Sequence, residues 1–376
     1  MVTHARRMFH IDVPVWLTKG PMDPKAGVFL FFVLSGYVLS QSLHKMPLSW
    51  EGYRNYIIKR TCRLFPPYWV ALCMTFAILF LLKNYGSRAL SGAPEFLSIT
   101  DFGWCQWVLH VFLVVPGMRS DFAMPTVWSL MTEAKVSLLA FPFLGWALIR
   151  LPIWRALGLT VSLVFGSAFL NTYLIGTAAY LGLFAMGAIL ARVPYHCWQK
   201  VTERRLWPLI LLAGLGFYSC MSARFCLPSI WLGYYLCGFG SVLIIATISR
   251  WPWMSRYIDS VQSRFGLDIS YGIYLLHYPM LLAFESLRDE SSSATPSRFL
   301  PALAAMLVTV VLAWVLACTV EKPMARLSKR LIAKQGQRNL SSVLRPELRG
   351  SSMKSVSPAI IHGFSSRKES ITEGHR

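Results

Sequence analysis

The stretch FLPALAAMLVTVVLAWVLACTV, residues 299–320, decides the class of fold to which this chain belongs. It contains no charged side chain, and about 20 such residues in a helix cross the hydrocarbon core of a bilayer. Buried helices of soluble proteins usually have shorter apolar runs. The stretch therefore predicts a membrane-spanning helix.

The composition extends this prediction to the whole chain of 376 residues. Hydrophobic residues make up 55% and charged residues 14%, and the mean hydropathy is +0.48. A soluble domain carries about 25% charged residues, so this chain has too few charges to cover a water-facing surface. We predict an all-α, polytopic helical bundle that forms one membrane domain over residues 1–330.

Nine apolar stretches reach or approach the length of a membrane span. They lie near Ala26–Leu43, Leu64–Leu82, Thr126–Ile149, Ala156–Ile175, Gly176–Ala191, Leu206–Ala223, Leu227–Ser249, Ile269–Ala283 and Phe299–Val320. The fourth and fifth form one uncharged run, which we divide at Asn171–Gly176. Trp104–Val115 is shorter and contains His110, so we expect it to be re-entrant or to lie on the membrane surface.

The net charge of +20 is compatible with binding to nucleic acid or to an anionic surface, and the positions of the charges distinguish these. Most of the 37 Lys and Arg residues fall on the alternate segments 44–63, 150–155, 192–205, 250–268 and 321–376. Basic residues mark cytoplasmic loops. We therefore predict that these segments are cytoplasmic, and we expect no nucleic-acid partner.

The two ends of the chain carry further expectations. Residues 331–376 are rich in Ser, Lys and Arg, which predicts a disordered cytoplasmic tail close to anionic lipid headgroups. Nine spans and a cytoplasmic C-terminus place Met1 outside, yet residues 1–25 contain no signal peptide. We therefore expect a tenth helix upstream of Met1.

Glu133 and Lys135 lie within the predicted third span, where an ionisable residue costs about 2.5–3.5 kcal/mol on insertion scales. They are two residues apart and so face different sides of a helix. One interpretation is a snorkelling lysine with one structural ion pair. The other is a functional carboxylate that orients a catalytic base or binds a sugar hydroxyl.

Ser270, Tyr274 and His277 recur at helical spacing and form a polar stripe on one face of the eighth span. A single histidine in such a place is usually a buried core residue with its hydrogen bonds satisfied. A stripe of three polar residues is equally compatible with a structural role and with an aqueous cavity or ligand groove.

Arg60 and Arg63 precede the second span in the sequence KRTCRLFPPYW, residues 59–69. Anchoring at the cytoplasmic face explains these charges by itself. At a spacing of three, however, both side chains can point the same way from a helix start at the membrane rim. That arrangement suits the phosphates of a nucleotide-bearing cofactor.

Two other residue types are weaker signals. His4, in Val2-Thr3-His4-Ala5, is by itself an N-terminal histidine with little claim to function. The eight cysteines are scattered through or beside apolar segments without a CxxC pair, and no His or carboxylate spacing is typical of a metal site. We expect no bound metal.

Taken in order, these segments resemble the acyltransferase 3 family. Its members are integral-membrane O-acyltransferases that modify lipopolysaccharide O-antigen, peptidoglycan and other extracytoplasmic glycans. The similar segments are GVFLFFVLSGY at 27–37, the RxxR of Arg60–Arg63 with PPYW at 66–69, WSL at 128–130 with Glu133, SY at 270–271 through His277, and EKP at 321–323.

The resemblance implies roles for particular residues. In the family, a first helix begins with an Arg and ends in an essential His, with ten residues between the two. The His lies in a "vv.H" context, which Val2-Thr3-His4-Ala5 resembles. His4 is thus expected to be the catalytic histidine, with the Arg upstream of Met1 and Glu133 as its catalytic partner. The RxxR implies that Arg60 and Arg63 bind the acyl-CoA donor on the cytoplasmic side.

The function implied is transfer of an acyl group, expected to be acetyl from acetyl-CoA, to a glycan acceptor at the outer face of the inner (plasma) membrane. Trp128, Tyr274 and His277 are expected to bind substrate. Histidine suits such a reaction because its ordinary pKa lies near neutrality. Two alternatives stay open for the chain: a multi-spanning transporter without covalent chemistry, and an inactive, truncated homologue. For His4, action as a base alone and transient transfer of the acyl group onto the imidazole both stay open.

Overall fold

A computed structural model gives the architecture of the chain. It describes residues 2–9, 11, 14, 22–85, 110–113, 126–169, 176–194, 197, 201, 205–221, 230–251, 256–257, 269–287 and 295–335. Within these ranges the chain is mainly helical and contains no strand. The predicted all-α membrane fold is confirmed.

The main described helices are numbered here in chain order. They are α1 (Val2–Phe9), α2 (Pro24–His44), α3 (Trp50–Tyr85), α4 (Val127–Arg150), α5 (Ile153–Phe169), α6 (Gly176–Arg192), α7 (Trp207–Ser219), α8 (Ile230–Arg250), α9 (Ser270–Ser286) and α10 (Thr295–Leu316). Within α4, the residues Val136–Ala140 form a π-helical turn. A second π-helical turn, Ala317–Glu321, follows α10.

Helices α2 to α10 occupy the nine positions predicted to span the membrane. Five apolar helical segments are long enough to cross a bilayer by length and composition alone: Pro24–His44, Trp50–Leu82, Val127–Arg150, Ile230–Ser249 and Phe299–Gln335. The described apolar parts of α5, α6 and α7 are shorter. Of the predicted re-entrant segment Trp104–Val115, only residues 110–113 lie within the described part of the chain.

Two helix bounds differ from those of the apolar runs. Helix α3 begins at Trp50, well before the predicted span at Leu64, and it contains Pro66 and Pro67. Arg60 therefore lies inside a continuous helix and not at a helix start, because the polar turns that precede the apolar run also pack against α4. The apolar segment that starts at Phe299 stays helical to Gln335.

The chain divides into two units, Met1–Ser328 and Lys329–Arg376. The first contains α1 to α10. Of the second, the structure describes residues 329–335, which are helical. The rest of the predicted disordered tail, residues 336–376, lies outside the described residues.

Helices α2 and α6 pack with their backbones almost in contact. A Cβ atom added to Gly36 would lie 2.1 Å from the carbonyl oxygen of Phe184, and one added to Gly187 would lie 1.9 Å from that of Val33. Small residues permit this approach in membrane helices, where dispersion contacts between close backbones contribute to association. Buried Phe29, Phe32 and Phe184 extend the same contact into the largest apolar core.

A second apolar core joins α3, α4 and α9, through buried residues that include Tyr68, Leu130 and Leu275. The short helix α1 packs beside it. Ala5 and Phe9 of α1 are buried with Leu281 of α9 and with Ala302 and Ala305 of α10. These contacts hold the N-terminal helix, and with it His4, against α9.

Candidate active site

A row of buried polar side chains follows one face of α4. Ser129, Glu133 and Ser137 are spaced four residues apart, so they lie above one another on the helix surface. All three are buried. A buried polar group needs a hydrogen-bond partner, and each member of this row has a partner on α3 or α9.

Arg60 of α3 binds two members of the row. Its Nη2 forms an ion pair with Oε1 of Glu133, and its Nε donates a hydrogen bond to the Ser137 hydroxyl at 3.2 Å. The Tyr56 hydroxyl, one turn earlier on α3, donates to the Ser137 carbonyl oxygen at 2.7 Å. The side chains of Arg60 and Glu133 are only 10% and 2% exposed, so this pair is largely removed from solvent.

The other polar atoms around the Glu133 carboxylate show how it is held. The Ser35 hydroxyl of α2 lies beside the same carboxylate. Its second oxygen, Oε2, is buried and accepts no hydrogen bond from the described residues. One carboxylate oxygen of Glu133 thus pairs with Arg60, and the other can accept a further hydrogen bond. Arg63, three residues after Arg60, is exposed, so the two arginines of the RxxR differ in surroundings.

Tyr274 of α9 meets the outer member of the row. Its hydroxyl donates to the carbonyl oxygen of Thr126 at 2.6 Å and is hydrogen-bonded to the hydroxyl of Ser129. The tyrosine ring also stacks on Phe31 of α2, with 6.4 Å between ring centroids. Ser270, at the start of the predicted polar stripe, is exposed, so the stripe becomes buried towards His277.

His277 connects α9 to the N-terminal helix. Its side chain is buried, and its Nδ1 lies 2.8 Å from the carbonyl oxygen of Tyr274 and 3.1 Å from that of Ile273. The ring of His4 lies 5.5 Å from that of His277 and 5.9 Å from that of Tyr278, measured between centroids. The structure therefore brings two histidines of distant sequence position together.

Trp128 faces a different group of side chains. Its ring lies 6.1 Å from that of Tyr180 on α6, in a tilted arrangement. Tyr180 in turn contacts Phe29 and Phe32 of α2 at 5.8 and 5.3 Å. Trp128 thus borders an aromatic cluster between α2, α4 and α6, beside the polar row and not within it.

These polar groups follow one another in a line, the polar line, between Arg60 and His4. Starting at Arg60, it passes along α4 from Glu133 to Ser129, crosses to Tyr274, and continues one turn along α9 to His277 and then to His4. The rings of Tyr274 and His277 are 6.1 Å apart. Because the segment before Arg60 is predicted to be cytoplasmic and Met1 external, this line is expected to run from the cytoplasmic side to the outer side.

Several residues on this line or beside it were not singled out from sequence. They are Tyr56, Ser129, Ser137 and Tyr278. The four-residue spacing of Ser129, Glu133 and Ser137 is a signal that could have found two of them, since it places them on the face that carries the buried carboxylate. Among the described residues, no group of three or more His, Cys, Asp or Glu side chains is placed to hold a metal ion.

Comparison with known proteins gives two matches. Residues 16–318 match the model of a family described as an acyltransferase domain, the acyltransferase 3 family. A curated relative, the peptidoglycan O-acetyltransferase OatA of Listeria monocytogenes serovar 1/2a (strain ATCC BAA-679 / EGD-e), is 26% identical over 286 residues. That match covers 68% of this chain and 44% of the relative, so the chain spans less than half of the relative's length. No solved structure matches.

Proposed function

Because the chain belongs to the acyltransferase 3 family, we propose that it is a membrane O-acyltransferase acting on a cell-envelope glycan. The proposed donor is acetyl-CoA on the cytoplasmic side, and the acceptor is a hydroxyl of an extracytoplasmic glycan. The relative's name supports peptidoglycan as one such acceptor. Lipopolysaccharide and exopolysaccharide are the other proposed acceptors. The proposed location is the inner (plasma) membrane.

The observation that carries the proposal is the polar line from Arg60 to His4. A donor and an acceptor on opposite sides of a membrane require a buried route along which an acyl group can pass. Polar and ionisable residues inside a membrane bundle usually mark such a route, because they are costly there without a function. Tyr274 and His277 lie on the outer half of this line, where we propose that they bind the acyl group or the acceptor.

The proposed chemistry assigns His4 as the general base. A nitrogen of His4 takes the proton of the acceptor hydroxyl while the hydroxyl oxygen attacks the thioester carbonyl carbon. The thioester end of the donor is proposed to extend along the buried route to His4. The new C–O bond forms, the C–S bond breaks, and the thiolate of CoA leaves and takes the proton from the His4 imidazolium. Histidine suits this step because an imidazole can both accept and return a proton near neutral pH.

Arg60 and Arg63 are proposed to bind the phosphates of the donor. A guanidinium binds a phosphate through two parallel hydrogen bonds, which a lysine cannot do. Arg63 is exposed. Arg60 is already paired with Glu133, so we propose that the carboxylate holds it at the inner end of the line.

Glu133 and Trp128 are proposed to act on the substrates. The second carboxylate oxygen of Glu133 accepts no hydrogen bond from the described residues and is available to a hydroxyl of the substrate. The Trp128 ring, beside the polar row, is proposed to offer an apolar face to a sugar ring. The basic tail beyond residue 335 is proposed to lie against anionic lipid headgroups.

The test is O-acetylation of the cell-envelope glycan in cells that express the chain. We expect base-labile acetyl groups on the glycan of these cells and only background levels in cells that express His4→Ala at equal abundance. Glycan without added acetyl groups in either strain would contradict the proposal. Uptake of a solute that is unaffected by His4→Ala would instead favour a transporter.

A further inference from the structure

The hydrogen bonds of His277 determine which of its two ring nitrogens carries the proton. Nδ1 lies 2.8 and 3.1 Å from two backbone carbonyl oxygens of its own helix, those of Tyr274 and Ile273. A carbonyl oxygen can only accept a hydrogen bond, so Nδ1 must be the protonated nitrogen. In the neutral ring, Nε2 then carries a lone pair and is a hydrogen-bond acceptor.

The position of the ring is fixed as well as its tautomer. His277 is 4% exposed, and the residues on either side of it, Leu276 and Tyr278, are 2% exposed. The two contacts from Nδ1 to the helix backbone prevent the ring from turning over, because the turned ring would present a carbon to both carbonyl oxygens. His277 therefore presents the same acceptor nitrogen in the same direction.

The ring of His4 lies beside that of His277. The centroids of the two imidazole rings are 5.5 Å apart, and their planes are inclined at 49°. From this separation, a rotation of the His4 ring can bring one of its nitrogens to about 2.7–3.2 Å from Nε2 of His277, which is the length of a hydrogen bond. The buried contacts of α1, through Ala5 and Phe9, hold His4 at this distance.

We propose that His277 is a positioning residue for His4. Its Nε2 accepts a hydrogen bond from an N–H of His4 and so leaves the other nitrogen of His4 unprotonated and directed at the acceptor hydroxyl. When that nitrogen takes the proton, the hydrogen bond to His277 stabilises the imidazolium that forms. This inference rests on the proposed function, in which His4 is the general base.

A carboxylate commonly orients a catalytic histidine, and the sequence suggested Glu133 for this role. In the structure the Glu133 carboxylate forms its ion pair with Arg60. Ser129, Tyr274 and His277 lie between it and His4 along the polar line. The geometry thus assigns the orienting hydrogen bond to His277, and it leaves Glu133 to act on Arg60 and on the substrate.

Two substitutions of His277 separate positioning from support of the fold. Asn places an amide nitrogen near Nδ1, so His277→Asn can keep the bond to the backbone but loses the acceptor at Nε2. Gln places an amide oxygen near Nε2, so His277→Gln can keep the acceptor but loses the backbone bond. A residue with a merely structural role would tolerate Asn better than Gln.

The experiment measures acetyl transfer from acetyl-CoA by each purified variant in detergent. We expect His277→Asn to lower kcat about 100-fold, with the KM for acetyl-CoA unchanged, since acid–base catalysis contributes roughly 10²–10⁴-fold. His277→Gln should stay within about tenfold of the wild type. Thr309→Val, a buried substitution on α10, serves as the control for yield and melting temperature.

The split between kcat and KM, together with the rescue by Gln, gives the decisive comparison. Wild-type activity of His277→Asn, a raised KM for acetyl-CoA in place of a lowered kcat, or lower activity of His277→Gln than of His277→Asn would each overturn the inference. Full activity of His4→Ala would instead overturn the proposed function.

Discussion

At the scale of single residues, the ion pair between Arg60 and Glu133 shapes the interior of the membrane domain. Each side chain is ionisable and largely buried, and the two are 73 residues apart in sequence. The sequence places Glu133 in an apolar segment, where a buried charge is costly. It therefore predicted that Glu133 has either a partner or a function. The identity of that partner was not apparent, because it depends on how α3 and α4 pack.

Arg60→Ala is expected to destabilise the protein more than Arg63→Ala. Removing Arg60 leaves the Glu133 carboxylate buried without its counter-charge, and breaking a buried pair costs about 3–5 kcal/mol. Arg63 is exposed, so its loss should change stability much less. Thermal unfolding in detergent, followed by tryptophan fluorescence, measures both effects. Equal melting temperatures of the two variants would show that the buried pair does not stabilise the fold.

Tyr274→Phe is expected to lower activity more than Tyr271→Phe. Each variant removes a tyrosine hydroxyl from α9 that donates to a backbone carbonyl, at 2.6 Å to Thr126 and at 2.9 Å to Leu64. The loss of stability should be about 1 kcal/mol for Tyr271→Phe and larger for Tyr274→Phe, which also loses the hydrogen bond to Ser129. Only Tyr274 lies on the polar line, so transfer rates at matched protein amounts separate the two. Equal rates would remove Tyr274 from the route.

At the scale of helices, the sequence predicted where each span lies but not all of its bounds. Hydropathy is informative here because a helix in lipid needs an apolar surface along its full length. The first turns of α3 carry Arg54 and Lys59, and their polarity hid the fact that the helix begins at Trp50. The partners of Glu133, Tyr274 and His277 depend on contacts between helices, which the apolar pattern of one helix does not encode.

Gly187→Ala is expected to be strongly destabilising, whereas Gly158→Ala should be neutral or slightly stabilising. The added Cβ at residue 187 would lie 1.9 Å from a backbone oxygen of α2, so the two helices must move apart. Such overpacking costs about 1–3 kcal/mol or more. At residue 158 nothing lies within 4 Å, and replacing Gly by Ala within a helix gains up to about 1 kcal/mol. Melting temperatures in detergent compare the pair.

If Gly187→Ala unfolded at the wild-type temperature, the close contact of α2 with α6 would be wrong. Gly216→Ala offers a second control on α7, since a Cβ there also meets nothing within 4 Å. All three variants replace a glycine by an alanine. The two controls differ from Gly187→Ala in the space around the new methyl group.

At the scale of the whole molecule, the distribution of basic residues predicts the orientation. If segments 44–63 and 321–376 are cytoplasmic, as proposed, the loop between α3 and α4 is predicted to be external. A reporter fused after Ser120 should therefore read as external, and one fused after Arg376 as cytoplasmic. A cytoplasmic signal after Ser120 would overturn the nine-span arrangement and reverse the direction of the polar line.

In the proposed function, the acyl group crosses the membrane along the polar line and is transferred at His4. Inverted membrane vesicles test this most directly, because their cytoplasmic face is outward and the glycan acceptor is enclosed. Radiolabelled acetyl-CoA, which does not cross the membrane, is added outside. We predict label on the enclosed glycan with the wild-type chain and none with His4→Ala. Labelling that requires acetyl-CoA inside the vesicles, or that persists in His4→Ala, would contradict the account.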